Sequence, residues 1–244
     1  MRGKTVQDLY SICAQYYDRI YHFKDYAAEA NRLHSLLQGR GIKDGARVLE
    51  VACGTGNYLV ALRDWYDVAG LDSSEAMLEI ASAKLPDVSL QLDDMVSFEV
   101  DHPYDAILCL FSSIAHLRSE EALRNSAGRF AAATRPGGLV LVEPFVTSEI
   151  YQEGRPWIDT YRSDDLHLCR AVVSEREGEH AVLDFHWLVV PRAASVQHLR
   201  DRQVLWMCPR PTMIRVFEDA GFECQWLAAD LNRDRELLVG TRQG

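Results

Sequence analysis

Glu50, Gly54 and Gly56 stand together in the run Val-Leu-Glu-Val-Ala-Cys-Gly-Thr-Gly-Asn at 48–57, an apolar segment ending in a Gly-x-Gly turn with an acid just upstream. Glycine lets the backbone turn sharply and approach a ligand with no Cβ in the way. Two glycines after an apolar strand therefore predict a nucleotide-like cofactor lying across the strand end. Two more acidic groups follow at strand-end spacing. Leu71-Asp72-Ser73 places a carboxylate that suits ribose hydroxyls. Asp93-Asp94-Met95 offers a carboxylate for an exocyclic amine and a thioether for an adenine face. Each feature has a plain structural reading when taken singly: a turn at Gly54 and Gly56, a helix cap at Asp72 or Ser73, a loop residue at Asp94. Three in register at successive strand ends point to one ligand.

A dinucleotide-binding dehydrogenase is the main competitor. Its fingerprint requires a third glycine or alanine on the following helix for close packing against the strand, and that position is Leu59 here. Glu50 is also poorly placed for a pyrophosphate, because a carboxylate repels two phosphates and suits a cationic or amino-bearing cofactor better. S-adenosylmethionine is thus favoured over NAD.

These residues need strands to carry them, and the periodicity supplies them. Helical spacing over 26–37 leads into a strand at 47–52, followed by helix 58–65, strand 67–71, helix 74–85 and strand 89–91. The alternation continues with strand 104–110, helix 119–133, a turn at 135–138 and strand 139–143. Repeated βαβ units imply an α/β, doubly wound, parallel sheet with helices on both faces. After Pro144 the rhythm changes. Residues 166–207 read as three antiparallel strands, with Glu177-Gly178-Glu179 as the hairpin turn between the first two. Helix 210–220 and strands at 223–228 and 236–241 finish the chain. The expected organisation is one domain over 1–244, with an N-terminal helical cap over 1–45 and an antiparallel β insertion at about 146–209.

The 244 residues are enough for one large domain, and 48% hydrophobic with 25% charged residues is ordinary for a globular protein. No apolar run approaches the length of a membrane span, so no membrane partner is expected. Residues 1–9 carry Arg2 and Lys4 with no apolar stretch behind them. That does not resemble a secretory signal and suggests a cytoplasmic chain. A net charge of −10 without a dense basic run disfavours nucleic acid. The six cysteines form no C-x-x-C pair, which argues against zinc and against a disulfide framework.

With these residues in view, the chain resembles the class I S-adenosylmethionine-dependent methyltransferases over nearly its whole length. The resemblance implies a Rossmann-like, seven-stranded, mostly parallel sheet whose last strand is antiparallel. It rests on Glu50-x-x-Cys53-Gly54-x-Gly56, on Asp72-Ser73 with Met77 behind them, and on Asp94-Met95. By resemblance, Ala52, Cys53, Gly54 and Gly56 face the amino-acid part of the cofactor, Asp72 the ribose, and Asp94 with Met95 the adenine. Leu110 joins the cofactor set.

A narrower resemblance rests on Lys24-Asp25-Tyr26-Ala-Ala-Glu29-Ala30, Phe111-Ser112-Ser113-Ile114-Ala115-His116-Leu117, Val142-Glu143-Pro144, Arg176-Glu177-Gly178 and Glu236-Leu237-Leu238-Val239-Gly240. It is similar to the N,N-dimethyltransferases that methylate the amine of nucleotide-linked amino sugars twice. The pattern departs from that group at Tyr21-His22-Phe23, at Phe145-Val146 and over 230–235, positions expected around the substrate mouth.

An amine must be neutral to attack a sulfonium, and positioning supplies much of the rate. His116, beyond the fourth strand, is the candidate for taking the proton, with an unperturbed pKa near the working pH; a capping or surface histidine is the plain reading. Tyr17, Tyr21 and Tyr26 lie on the segment expected to close over the cofactor, where a hydroxyl can meet the methionine carboxylate or the acceptor. Phe111, Ser112, Ser113, Glu143 and Phe145 are the expected substrate contacts. So is His186, which also shares a strand face with His180 and Asp184 in the manner of a solvated surface. Trp157, Trp206 and Met207 are candidates for the pocket wall or for the core. The expected partner is a small-molecule acceptor, with a homodimer as the oligomeric expectation. The alternatives are O- or C-methylation of a small natural product, or cofactor binding without catalysis.

Overall fold

Val48 and Leu49 are both buried but point into different cores, because successive side chains on a strand face opposite ways. That is the pattern of a strand covered on both sides. In the computed structural model their strand, β1 (Arg47–Val51), is central to a seven-stranded sheet. The structure describes residue 10, residues 13–232 and residues 235–244, with the backbone alone for 229–232 and 235. The readings of residues 1–9 and of the side chains over 230–235 therefore lie wholly or mostly outside the described residues.

The other strands are β2 (Asp67–Asp72), β3 (Ser89–Leu92), β4 (Tyr104–Cys109), β5 (Thr134–Val142), β10 (Phe222–Asn232) and β11 (Arg235–Arg242), in the order β10-β11-β5-β4-β1-β2-β3. β11 alone runs antiparallel, against both β5 and β10. One face is covered by α2 (Tyr26–Gly39), α3 (Asn57–Leu62) and α4 (Glu75–Lys84), through Leu33, Leu37, Leu59, Leu62 and Leu78. The other is covered by α5 (Glu120–Ala133) and α6 (Arg210–Asp219), through Phe130, Met213 and Phe217. Among the described residues no helix is long and apolar enough to cross a membrane.

Two sequence expectations need correction. The turn expected at 135–138 lies inside β5 as an irregularity. Tyr104 pairs with Thr134 and Ala106 already with Leu139, and Gly137 absorbs the extra chain at φ 71°. The insertion has four strands rather than three: β6 (Pro156–Arg162), β7 (Leu166–Glu177), β8 (His180–Pro191) and β9 (Gln197–Trp206), antiparallel in sequence order. β6 escapes the pattern because it is a half-exposed edge strand that begins at a proline and shows no clean apolar alternation. The inner face of this second sheet packs Leu168, Val172, Phe185 and Trp187 onto Cys13, Tyr16 and Ile20, the last two on α1 (Ala14–Ile20).

Leu59, which occupies the third-glycine position, finds its room in the neighbouring strand. A Cβ at Gly70 on β2 would lie 2.7 Å from Leu59 Cδ1 and 2.8 Å from Cys53 Sγ. The glycine that permits close helix–sheet packing is here in the sheet. Gly70→Ala is expected to lower stability by about 1–3 kcal/mol, with less added loss in a Leu59→Ala background, both read from denaturant unfolding. Full additivity of the two changes would contradict this packing.

Candidate active site

The chain leaves β1 through Ala52 (φ 58°), Gly54 (φ 55°) and Gly56 (φ 75°), so that α3 starts within a few residues. Among the described residues, the non-glycines with positive φ are Ala52, Phe111 and Ser112. All three follow the ends of β1 and β4, which places backbone strain at one edge of the sheet. Gly54 N–H donates to Asp72 Oδ2 at 2.8 Å, and Ser74 N–H donates to Asp72 Oδ1 at 2.8 Å. Asp72 thereby ties the glycine turn to the start of α4. The cap of that helix is Ser74, whose Oγ accepts from Met77 N–H, and not Asp72 or Ser73.

Glu50 is buried at the end of β1 and its Oε2 has no hydrogen-bond partner. Burial, then the charge of Asp72, pushes its carboxyl well above the usual range. Burial also raises Asp72, against the backbone hydrogen bonds that favour its charged form. The outer side of the glycine turn is held by α1. Asp18 accepts from Thr55 Oγ1 (2.6 Å) and Asn57 Nδ2 (2.9 Å) and pairs with Lys84 Nζ (2.5 Å). Burial alone would raise Asp18, but the hydrogen bonds from Lys84, Thr55 and Asn57 hold it below the ordinary value.

Two compartments open at these strand ends. One is walled by Leu71, Asp72, Ser73, Asp94, Met95 and His116. The other is walled by Tyr17, Tyr26, Glu50, Cys53, Leu110 and Phe111, with Gly54 and Ser113. Ala52 lines both, so they read as two arms of one cleft. Residues from α1, α2 and the ends of β1, β2, β3 and β4 thus meet, as a doubly wound sheet arranges them.

Several expected site residues stand elsewhere. Met77 is buried on α4 and Gly56 is a spacer, where a Cβ would lie 2.9 Å from Leu85 Cδ1. Ser112 and Glu143 shape the turn after β4: Ser112 Oγ donates to Pro144 O, and Glu143 accepts Phe111 N–H at 2.8 Å. Phe145 packs with Ala115 and Tyr151. His186 lies on the outer face of the second sheet, stacked on His198 with their ring nitrogens 3.0 Å apart, and does not meet the cleft. Trp157 is half exposed, whereas Trp206 and Met207 are core.

His116 ends the 3₁₀ turn Ser113–His116 and shares a 3.0 Å hydrogen bond with the Tyr10 hydroxyl. Burial, aided by Arg118, lowers its pKa to about 4, which corrects the expectation of an unperturbed value. The imidazole is neutral near pH 7. Tyr21 is held from the insertion: its hydroxyl accepts from Arg170 Nη1 at 2.8 Å, and its ring packs on Tyr17 and Phe111. Sequence reasoning missed Tyr10, Asp18 and Arg170, whose partners lie far along the chain, and also Glu29. It is buried on α2 and accepts from Lys24 Nζ at 2.5 Å and from the Tyr58 hydroxyl, while Lys24 sits against the rings of Tyr26, Tyr58 and Phe111. Lys24-Asp25-Tyr26 and Glu29 were visible as a motif, which is the signal that could have found this pair.

A family model described as a methyltransferase domain matches residues 48–138. The dTDP-3-amino-3,4,6-trideoxy-alpha-D-glucopyranose N,N-dimethyltransferase of Streptomyces venezuelae is 33% identical over 93% of this chain and 96% of its own. The crystal structure of Streptomyces venezuelae DesVI is 32% identical, with a TM-score of 0.88 over 94% of this chain and 98% of that one. The structure of SAM-bound CalS10, an amino pentose methyltransferase from Micromonospora echinaspora, is 30% identical, with a TM-score of 0.81 over 90% and 92%.

Glu29→Gln keeps the shape and leaves Lys24 buried without its counter-charge. A loss of about 3 kcal/mol in unfolding free energy is expected, and a change below about 0.5 kcal/mol would contradict the pair's role in fixing this wall.

Proposed function

The chain belongs to the S-adenosylmethionine-dependent methyltransferases, within the amino-sugar N,N-dimethyltransferase family, and we propose that it methylates the amine of a nucleotide-linked amino sugar. One observation carries the assignment of the cleft: the buried Glu50 oxygen that has no partner in the chain, beside a second buried carboxyl at Asp72. An ammonium group answers both its missing hydrogen bond and its charge. When bound, S-adenosylmethionine supplies a methyl group on a sulfonium.

In this reading Glu50 accepts from the methionine ammonium. Tyr17 and Tyr26, which wall the same arm, offer hydroxyls to that end of the cofactor. Asp72 has a backbone N–H on each oxygen and keeps further lone pairs for ribose hydroxyls. Asp94 Oδ1 accepts Val96 N–H at 3.0 Å, which fixes the carboxylate for an exocyclic amine, and Met95 lies against the base. His116, neutral and bonded to Tyr10, acts by orienting the amine rather than by taking its proton. A base with a pKa of about 4 retains a proton poorly at neutral pH.

The acceptor assignment draws on the relatives, whose names specify amino sugars. A second copy of the chain belongs to the same proposal. Ile158, Val173, Leu188 and Val190 stand exposed together on the outer face of the second sheet, where apolar side chains facing water favour association.

Glu50→Gln is expected to weaken S-adenosylmethionine binding roughly 30-fold by titration calorimetry. His116→Asn should lower kcat about tenfold and leave the acid limb of the pH–rate profile in place. Unchanged affinity in the first variant, or a displaced acid limb in the second, would contradict these roles. Sedimentation velocity should show a dimer at tens of micromolar, and a monomer there would remove the self-association proposal.

A further inference from the structure

The outer face of the second sheet carries a pair of side chains for which methyl transfer has no use. On the antiparallel ladder His186 (β8) pairs with Arg200 and His198 (β9) with Leu188, so the two histidines are diagonal neighbours on that face. They stand 12 residues apart in the chain, and the strand register brings them together. His186 Nδ1 and His198 Nε2 lie 3.0 Å apart, with the ring planes 17° from parallel. Two neutral imidazoles at this separation share one hydrogen: one nitrogen donates and the other accepts. Both rings are open to water, the His186 side chain being 49% exposed.

A metal ion can replace that shared hydrogen. Zinc–imidazole bonds of about 2.0–2.1 Å meeting at a tetrahedral angle set two ligand nitrogens about 3.3 Å apart. The pair already stands close to that spacing, and turning two exposed rings aims both lone pairs at one point. The far nitrogen of His186 is provided for as well: Nε2 stands 4.0 Å from Asp184 Oδ1. A carboxylate behind a metal-bound imidazole fixes its tautomer and makes it a stronger ligand. Asp184 accepts from Arg200 Nε at 2.7 Å and from Arg200 Nη2, and these bonds hold its carboxyl below the ordinary range, so it is ionised. The cation in register with His186 is thereby held at Asp184, and Arg202, the next along β9, is held at Glu177 Oε1 at 2.8 Å. Among the described residues no three metal-ligating side chains converge, so the chain fills two positions and water the others. Imidazole selects Zn²⁺, Ni²⁺ and Cu²⁺ over Mg²⁺ and Ca²⁺, which take oxygen.

We propose that His186 and His198 form a surface site for a divalent transition cation, bound through His186 Nδ1 and His198 Nε2 with Asp184 behind His186. The hydrogen between them moves to the far nitrogen of its own ring, so both imidazoles stay neutral and both near nitrogens offer lone pairs. The site lies on the face of the second sheet opposite α1 and stands independently of the methyltransferase cleft. The exposed apolar residues assigned above to a second copy lie on β6, β7 and β8, and the pair lies at their β9 border.

The test is equilibrium dialysis of the metal-stripped chain against ZnCl₂ or NiCl₂ near pH 7, for wild type, His186→Asn and His198→Asn, with S-adenosylmethionine affinity and unfolding midpoint measured on the same samples. Wild type should bind one cation per chain with a dissociation constant below about 0.1 mM. Each variant should weaken that binding at least about tenfold, and an approximately hundredfold excess of Mg²⁺ should not displace the cation. Both positions face solvent and lie off the cleft, so the variants should keep the wild-type unfolding midpoint and cofactor affinity. Binding that survives in either variant, or a wild type that takes up neither cation at about 1 mM, overturns the site. Displacement by Mg²⁺ overturns the imidazole coordination.

Discussion

Glu50 and Asp72 put two carboxyl groups at the ends of adjacent strands, β1 and β2, in a part of the interior where neither is well hydrated. Burial raises both, and the charge of Asp72 raises Glu50 further. The surrounding fold manages this repulsion unevenly. Asp72 is given the backbone N–H groups of Gly54 and Ser74, and to reach them the chain accepts left-handed backbone at Ala52 and Gly54. Glu50 is given nothing from the protein on Oε2. The two carboxyls thus differ: Asp72 fixes the turn, and Glu50 lines the cleft.

The remaining architecture keeps that arrangement enclosed. α1 reaches the outside of the glycine turn through Asp18 and packs its apolar side on the second sheet. Arg170 carries the contact further, from Asp159 on β6 to the Tyr21 hydroxyl and so to the rings that border the Glu50 arm. The N-terminal segment is thus fastened to both sheets. Where the amino-sugar enzyme needs acceptor and cofactor brought together, the segment between them is held from each side, in keeping with a reaction whose rate comes largely from positioning.

Much of this was legible in the sequence, and the limits have physical causes. The strand–turn–helix at Glu50 to Gly56 is local, so residue types alone disclose it. Asp72 and Asp94 are readable because a doubly wound sheet must bring successive strand ends together. His116 was correctly expected beside the cleft, but its pKa depends on burial, which is a tertiary property and invisible in spacing. His186 shows the reverse difficulty: alternation placed it on a strand face, and only the packing of the second sheet decides that this face points away from the cleft. Asp18 and Arg170 bond to groups far away along the chain, and no periodicity encodes such pairs.

The most direct test of the account follows the acceptor itself by mass spectrometry during incubation with S-adenosylmethionine and a thymidine diphosphate-linked amino hexose. Two successive methyl additions at the amine, each accompanied by one S-adenosylhomocysteine, are expected. An acceptor that stays unmethylated in the presence of a chain that binds S-adenosylmethionine would contradict it.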